Sequence, residues 1–122
     1  MVTFTTDAYA ELARRVAASE EPDPFVSVCW LTRGLDLVRS PQGDAVWKEV
    51  YPATWAVAVQ GLPEEYETEK DKHLLEQHRR WIEEHIVWVD GLRVHFWPEG
   101  SRATDVTVDF RDGQFRVQHD AV

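Results

Sequence analysis

Apolar and polar positions change period several times along the chain, and each change marks a predicted element. Val2-Thr3-Phe4-Thr5 is a short β-prone run, with Thr6 or Asp7 placed to cap a following helix. Tyr9, Leu12, Ala13 and Val16 then recur at three- and four-residue spacing, which gives that helix one apolar stripe to dock on a sheet. Glu20-Glu21-Pro22-Asp23-Pro24 ends it, because proline cannot continue a helix. Phe25 to Leu31 is apolar on both alternating faces except at Ser27, the pattern of a central strand covered on both sides.

Shorter β-prone runs follow, separated by turn residues. Arg33-Gly34 leads into Leu35 to Val38, and Pro41-Gln42-Gly43-Asp44 separates this from a strand over Val46 to Tyr51. Thr54 to Gln60 alternates large residues with Ala56 and Ala58, a small face that lets a helix approach closely. The longest helix is expected from about Pro63 to His85, with Glu64, Glu65 and Glu67 near the positive end of its dipole. Leu74, His78, Trp81, Ile82 and His85 share one of its faces, and charged residues fill the other. The last third reads as strands over Ile86 to Val89, Leu92 to Trp97, Thr104 to Phe110 and Gln114 to Gln118. Asp90-Gly91 and Asp112-Gly113 are its hairpin turns. The pattern predicts a compact α+β domain with a mixed or antiparallel sheet, an N-terminal helix and a longer middle helix. With no linker, repeat or low-complexity tract, residues 1–122 read as one domain.

Composition narrows the function classes. A formal charge of -9 with scattered basic residues speaks against nucleic acid, whose phosphates need a basic stripe. No apolar run has the length of a membrane span, and the opening lacks a signal-peptide pattern, so a cytoplasmic location is expected. Cys29 is the single cysteine, which excludes an internal disulfide and any cysteine-rich metal site. Set in an apolar run, it reads as a buried core thiol.

The five histidines raise a metal reading that their spacing opposes. His78 and His85 are separated by about 10.5 Å of helical rise, whereas two ligands of one zinc bring their nitrogens within about 4 Å. A second constellation lies on the C-terminal strands. If Leu92, Val94 and Phe96 point inward, Arg93, His95 and Trp97 point outward. Asp105, Thr107 and Asp109 share a face by the same alternation, as do Gln114, Arg116 and Gln118. Arg93, His95, Trp97, Asp105, Asp109 and Arg116 therefore define a candidate polar binding surface, with cross-strand charge pairing as the plainer account. His95 and Asp109 would make an acid–base pair, without an accompanying nucleophile or oxyanion-binding loop. Six tryptophans are a heavy load for this length. Core packing accounts for most of them, and Trp47 and Trp97 are the two expected at the surface, as contacts for a protein partner. No catalytic, metal or cofactor-binding residue set is assigned.

Two blocks carry a family resemblance. Val2 to Ala8 with its amphipathic helix, then Phe25 to Leu31 and Gly34-Leu35-Asp36-Leu37, form the first. Val89 to Val94, Thr104 to Phe110 and Gly113 to Val117 form the second. Together they resemble the HesB-like domain, the fold of the A-type iron–sulfur carriers, over a little over half the chain. The resemblance implies that fold, but the family's ligands are cysteines in a glycine-rich loop and in a C-terminal Cys-x-Cys pair. Here the C-terminus reads Gln118-His119-Asp120-Ala121-Val122, and Cys29 lies within a strand. No ligand carries over, and no cofactor is expected. A non-enzymatic HesB-like protein that has lost cluster ligation and docks on a protein partner through a surface is thus the favoured reading.

 The alternatives are an iron or iron–sulfur accessory protein using His and carboxylate ligands such as His95 and His119, a small enzyme on the outer sheet face, and an acidic inhibitor-type binding protein on an unrelated fold.

Overall fold

The computed structural model describes residues 1–32, 34–61 and 69–119. Among these, the elements run β1 (Val2–Phe4), α1 (Thr6–Ala18), β2 (Phe25–Leu31), β3 (Gly34–Arg39), β4 (Ala45–Tyr51) and β5 (Thr54–Gln60). They continue with α2 (Glu69–Glu84), β6 (Ile86–Val89), β7 (Leu92–Trp97), β8 (Val106–Arg111) and β9 (Gln114–His119). The fold class is α+β, as the pattern predicts. The expected helix start at Pro63, its glutamates at 64, 65 and 67, the turn residue Arg33 and the C-terminal residues Asp120 to Val122 lie outside the described residues.

Local chemistry accounts for most boundaries. Thr5 caps α1 in extended conformation, its Oγ1 accepting from the Ala8 N–H at 3.2 Å. Asp7 sits in the first turn and Arg15 in the last, each matched to the helix dipole. Glu11 pairs with Arg14 and, at 2.8 Å, with Arg15 on the outer face. Asp90 and Gly91 both take positive φ, at 49° and 85°, and so do Asp112 and Gly113, at 54° and 77°. Those are the angles that a two-residue hairpin turn needs to match strand twist.

Three sheets result. β5-β2-β7-β6 forms a four-stranded sheet, β1-β8-β9 a three-stranded one, and β3-β4 a separate hairpin. β2 pairs antiparallel with β5 and parallel with β7, and β1 pairs parallel with β8. One face of the four-stranded sheet, with Val26, Val28 and Val94, meets Leu12 and Ala8 of α1 and Val106 and Val108 of β8 in the main core. Each such aliphatic side chain contributes about 1.5–3 kcal/mol by leaving water. The opposite face is roofed by α2, where Ile82 and Trp81 pack with Phe25 and Ile86 in a second cluster. β2 is therefore covered on both sides, the condition its apolar run, broken only at Ser27, anticipates. In the β3-β4 hairpin, Leu37 pairs across from Trp47, and both are exposed.

Candidate functional site

The two neighbours of β2 determine what lies beneath α2. Phe25, Ser27 and Cys29 alternate onto that face of the strand. Strand register sets Ser27 beside Ala58 of β5 on one side and His95 of β7 on the other. In the next row, Cys29 stands between Ala56 and Trp97. The face is thus small toward β5 and bulky toward β7. The helix rests over the bulky half through Trp81 and Ile82, and a cleft of about 760 Å³ opens between it and the sheet. Ala56 and Ala58 line this cleft together with Cys29, His95, Trp81 and Trp97; Gln60, His78 and Glu99 add polar groups.

A short polar array crosses the apolar floor. Ser27 Oγ lies 3.1 Å from Cys29 Sγ, which lies 3.5 Å from Nδ1 of His95. Burial pushes the Cys29 thiol up, an effect partly offset by the Ser27 hydroxyl and the Trp97 backbone N–H. Burial likewise pushes His95 down to about 4, with smaller contributions from His85 and His78. At neutral pH the pair is therefore a thiol beside a neutral imidazole. A thiolate–imidazolium nucleophile needs the opposite shifts.

Aromatic rings surround this array. The Trp81 ring stands 4.5 Å from that of His95 at 73°, and 4.9 Å from that of Trp97 at 71°. His85 meets Trp97 edge-on at 4.7 Å, while its Nδ1 donates to the Trp81 carbonyl at 2.7 Å, satisfying an acceptor near the end of α2. Such perpendicular arrangements suit the ring quadrupoles and hold the wall in place. Among the described residues, no group of three His, Cys, Asp or Glu side chains is placed to hold a metal ion.

Of the six residues expected to share a polar surface, five divide between two sheets and Asp105 lies just before β8. His95 and Trp97 line the cleft. His95 is only 2% exposed, a correction to its expected outward position: the outer face of β7 is roofed by α2 rather than by water. Trp97, expected at the surface, is half-buried against Trp81 and His85. Arg93 is half-buried too, and its guanidinium donates to the Asp23 carbonyl at 3.3 Å. Asp105 pairs with the N-terminal ammonium at 3.0 Å. Asp109 accepts from the Thr5 hydroxyl at 2.8 Å and pairs with Arg111 at 2.7 Å, and Arg116 approaches Asp112 at 3.9 Å. Asp109 and Arg116 belong to the β1-β8-β9 sheet, so Asp109 is not the partner of His95.

Ser27, Cys29 and Trp81 are the site residues that the sequence reading did not assign. Ser27 and Cys29 are the two polarisable side chains of period two within an apolar strand, and that alternation is the one signal pointing to them. Ala56 and Ala58 do form a small face, but the close helix approach expected there does not follow: α2 rests over the bulky half through Trp81, and the cleft opens over the alanines. No family model, curated protein or solved structure matches the chain. No helix among the described residues is long and apolar enough to cross a membrane.

Proposed function

We propose that the protein is a non-enzymatic binding module whose site is the cleft between α2 and the four-stranded sheet, and whose ligand is a small, ring-bearing molecule. The observation that carries this reading is the asymmetry of the cleft, with indoles on one side and alanines on the other. A flat ring inserted there would lie on Ala56 and Ala58 and meet Trp81 and Trp97 with its edge or face. The volume falls within the range of small-molecule sites. The neutral thiol and imidazole favour recognition over covalent or acid–base chemistry. In this reading the chain is a cytoplasmic, HesB-like scaffold that works without the family's cysteine ligands.

The test is a screen of ring-bearing fragments by ligand-observed NMR, repeated with Ala58→Leu and Ala56→Leu, each of which fills the cleft from its floor. Binding that weakens at least about tenfold in a folded variant supports the site. Fragments that bind both folded variants as well as the parent would place the ligand elsewhere and sink the proposal.

A second reading, docking to a protein partner, is favoured by Trp47 and Trp88, which are 69% and 70% exposed. Exposed tryptophan is enriched at interface hot spots. Affinity capture with the parent and with Trp47→Ala and Trp88→Ala tests it: a partner retained equally by all three would remove these residues from the interface.

A further inference from the structure

His95, which lines the cleft, carries a buried polar atom without a hydrogen-bond partner, Nε2. Such orphans are rare in folded proteins, because a buried polar group that gives up water needs a replacement. The other ring nitrogen decides which kind of replacement Nε2 wants. If Nδ1 carried the proton, it would donate to a sulfur already facing the Ser27 hydroxyl and the Trp97 backbone N–H. The thiol proton would then go to the Ser27 oxygen, 3.1 Å away, which strips the Ser27 hydroxyl of its own acceptor, or to the His95 carbonyl, 4.0 Å away. If Nδ1 is bare, the thiol donates to it across 3.5 Å, and the sulfur keeps its two donors. The second arrangement satisfies more of the array, since sulfur is a weak acceptor. It leaves the proton on Nε2.

Trp81 is the ring nearest to this imidazole, standing 4.5 Å away and nearly perpendicular. An aromatic neighbour is at most a weak substitute for an oxygen or nitrogen acceptor. Charge enters next. A carboxylate in the cleft would lose its water beside a neutral imidazole and an apolar floor, inside a chain of formal charge -9. A neutral acceptor escapes that penalty.

We infer that the ligand is a neutral ring compound bearing a hydrogen-bond acceptor, a ring nitrogen or a carbonyl oxygen, which receives the Nε2–H of His95. The inference rests on the ring-binding reading above and adds the polar half of the recognition. Ser27 and Cys29 act as positioning residues, since they set the tautomer of His95 without needing to touch the ligand.

The experiment compares quinoline, naphthalene and 2-naphthoate, which share a two-ring outline but offer a neutral acceptor, none and an anionic one. Titrations of the full chain at pH 7 should give quinoline an affinity roughly tenfold or more above both others. His95→Phe should erase that preference while ring binding persists. Long-range proton–nitrogen NMR of the unmodified protein should show the imidazole proton on Nε2, a readout independent of any variant's folding. Naphthalene or naphthoate binding as well as quinoline, or a proton on Nδ1, would overturn this inference and leave ring binding standing. Absence of binding by all three, with the cleft screen also empty, would overturn both.

Discussion

The thiol of Cys29 lies 3.5 Å from Nδ1 of His95, across 66 residues of chain. The contact exists because β2 and β7 run parallel and adjacent, with Ser27 in register with His95 and Cys29 with Trp97. Neither residue is unusual within its own strand. Together they form the polar centre of a face that is otherwise apolar and aromatic.

The first prediction concerns the thiol. Cys29 is 8% exposed, and its burial raises the pKa. Because the thiolate is the reacting species, alkylation by iodoacetamide at pH 8 should be at least about tenfold slower in the folded protein than in urea. Equal rates in the two states would contradict the buried thiol.

His95 should make stability depend on pH. Its folded-state value is pushed from 6.5 to about 4, so between those values the unfolded chain binds a proton that the folded one does not. Stability from this group is full above pH 6.5 and falls as the pH drops toward 4, by roughly 3 kcal/mol in the limit. Urea unfolding at pH 7 and pH 4.5 measures the loss. His95→Phe should flatten the difference attributable to this residue, and an unchanged slope would show that the dependence comes from elsewhere.

Thr5 joins two elements at one hydroxyl. Its Oγ1 caps α1 through the Ala8 N–H and donates to Asp109 of β8 at 2.8 Å. Thr5→Ala should cost about 1 kcal/mol from the cap alone, while Thr5→Ser should recover most of it. Asp109 is held below its ordinary value chiefly by that hydroxyl, so its carboxyl should titrate at higher pH in the alanine variant. Chemical denaturation and carboxyl NMR titration check the two effects separately.

Leu12 tests the main core. It is fully buried between α1 and the sheets, and truncation to alanine should destabilise the protein by about 2–5 kcal/mol. Thermal unfolding would report it, and a loss below 1 kcal/mol would mean that the helix does not dock as described.

The strands were legible because each carries its own signal. Phe25 to Leu31 and Thr54 to Gln60 declare themselves by β-prone composition, and Asp90-Gly91 and Asp112-Gly113 by turn chemistry. The helix stripe at Tyr9, Leu12, Ala13 and Val16 packs as its spacing anticipates. The site was less legible, for a physical reason. Alternation says which side chains of a strand share a face, but not what covers that face. His95 alternates with Leu92, Val94 and Phe96, so local pattern sends it toward solvent, while tertiary packing supplies α2 as a roof. Likewise, nothing local states that β7 lies beside β2, and without that pairing Cys29 has no imidazole. The separation of His95 from Asp109 follows from the same gap, since sheet membership is a non-local property.

The parallel pairing of β1 with β8 brings Val2 into register with Val106. A ribosome delivers those strands in order, so β1, and the core that α1 shares with β8, must wait until residues 106–111 have emerged. Until then the apolar face of α1 can meet only β1, β2 and β5, and the part that β8 covers stays exposed. A nascent chain that has not reached β8 therefore carries an incompletely covered core, open to aggregation and to holding chaperones, and this part of the fold closes late.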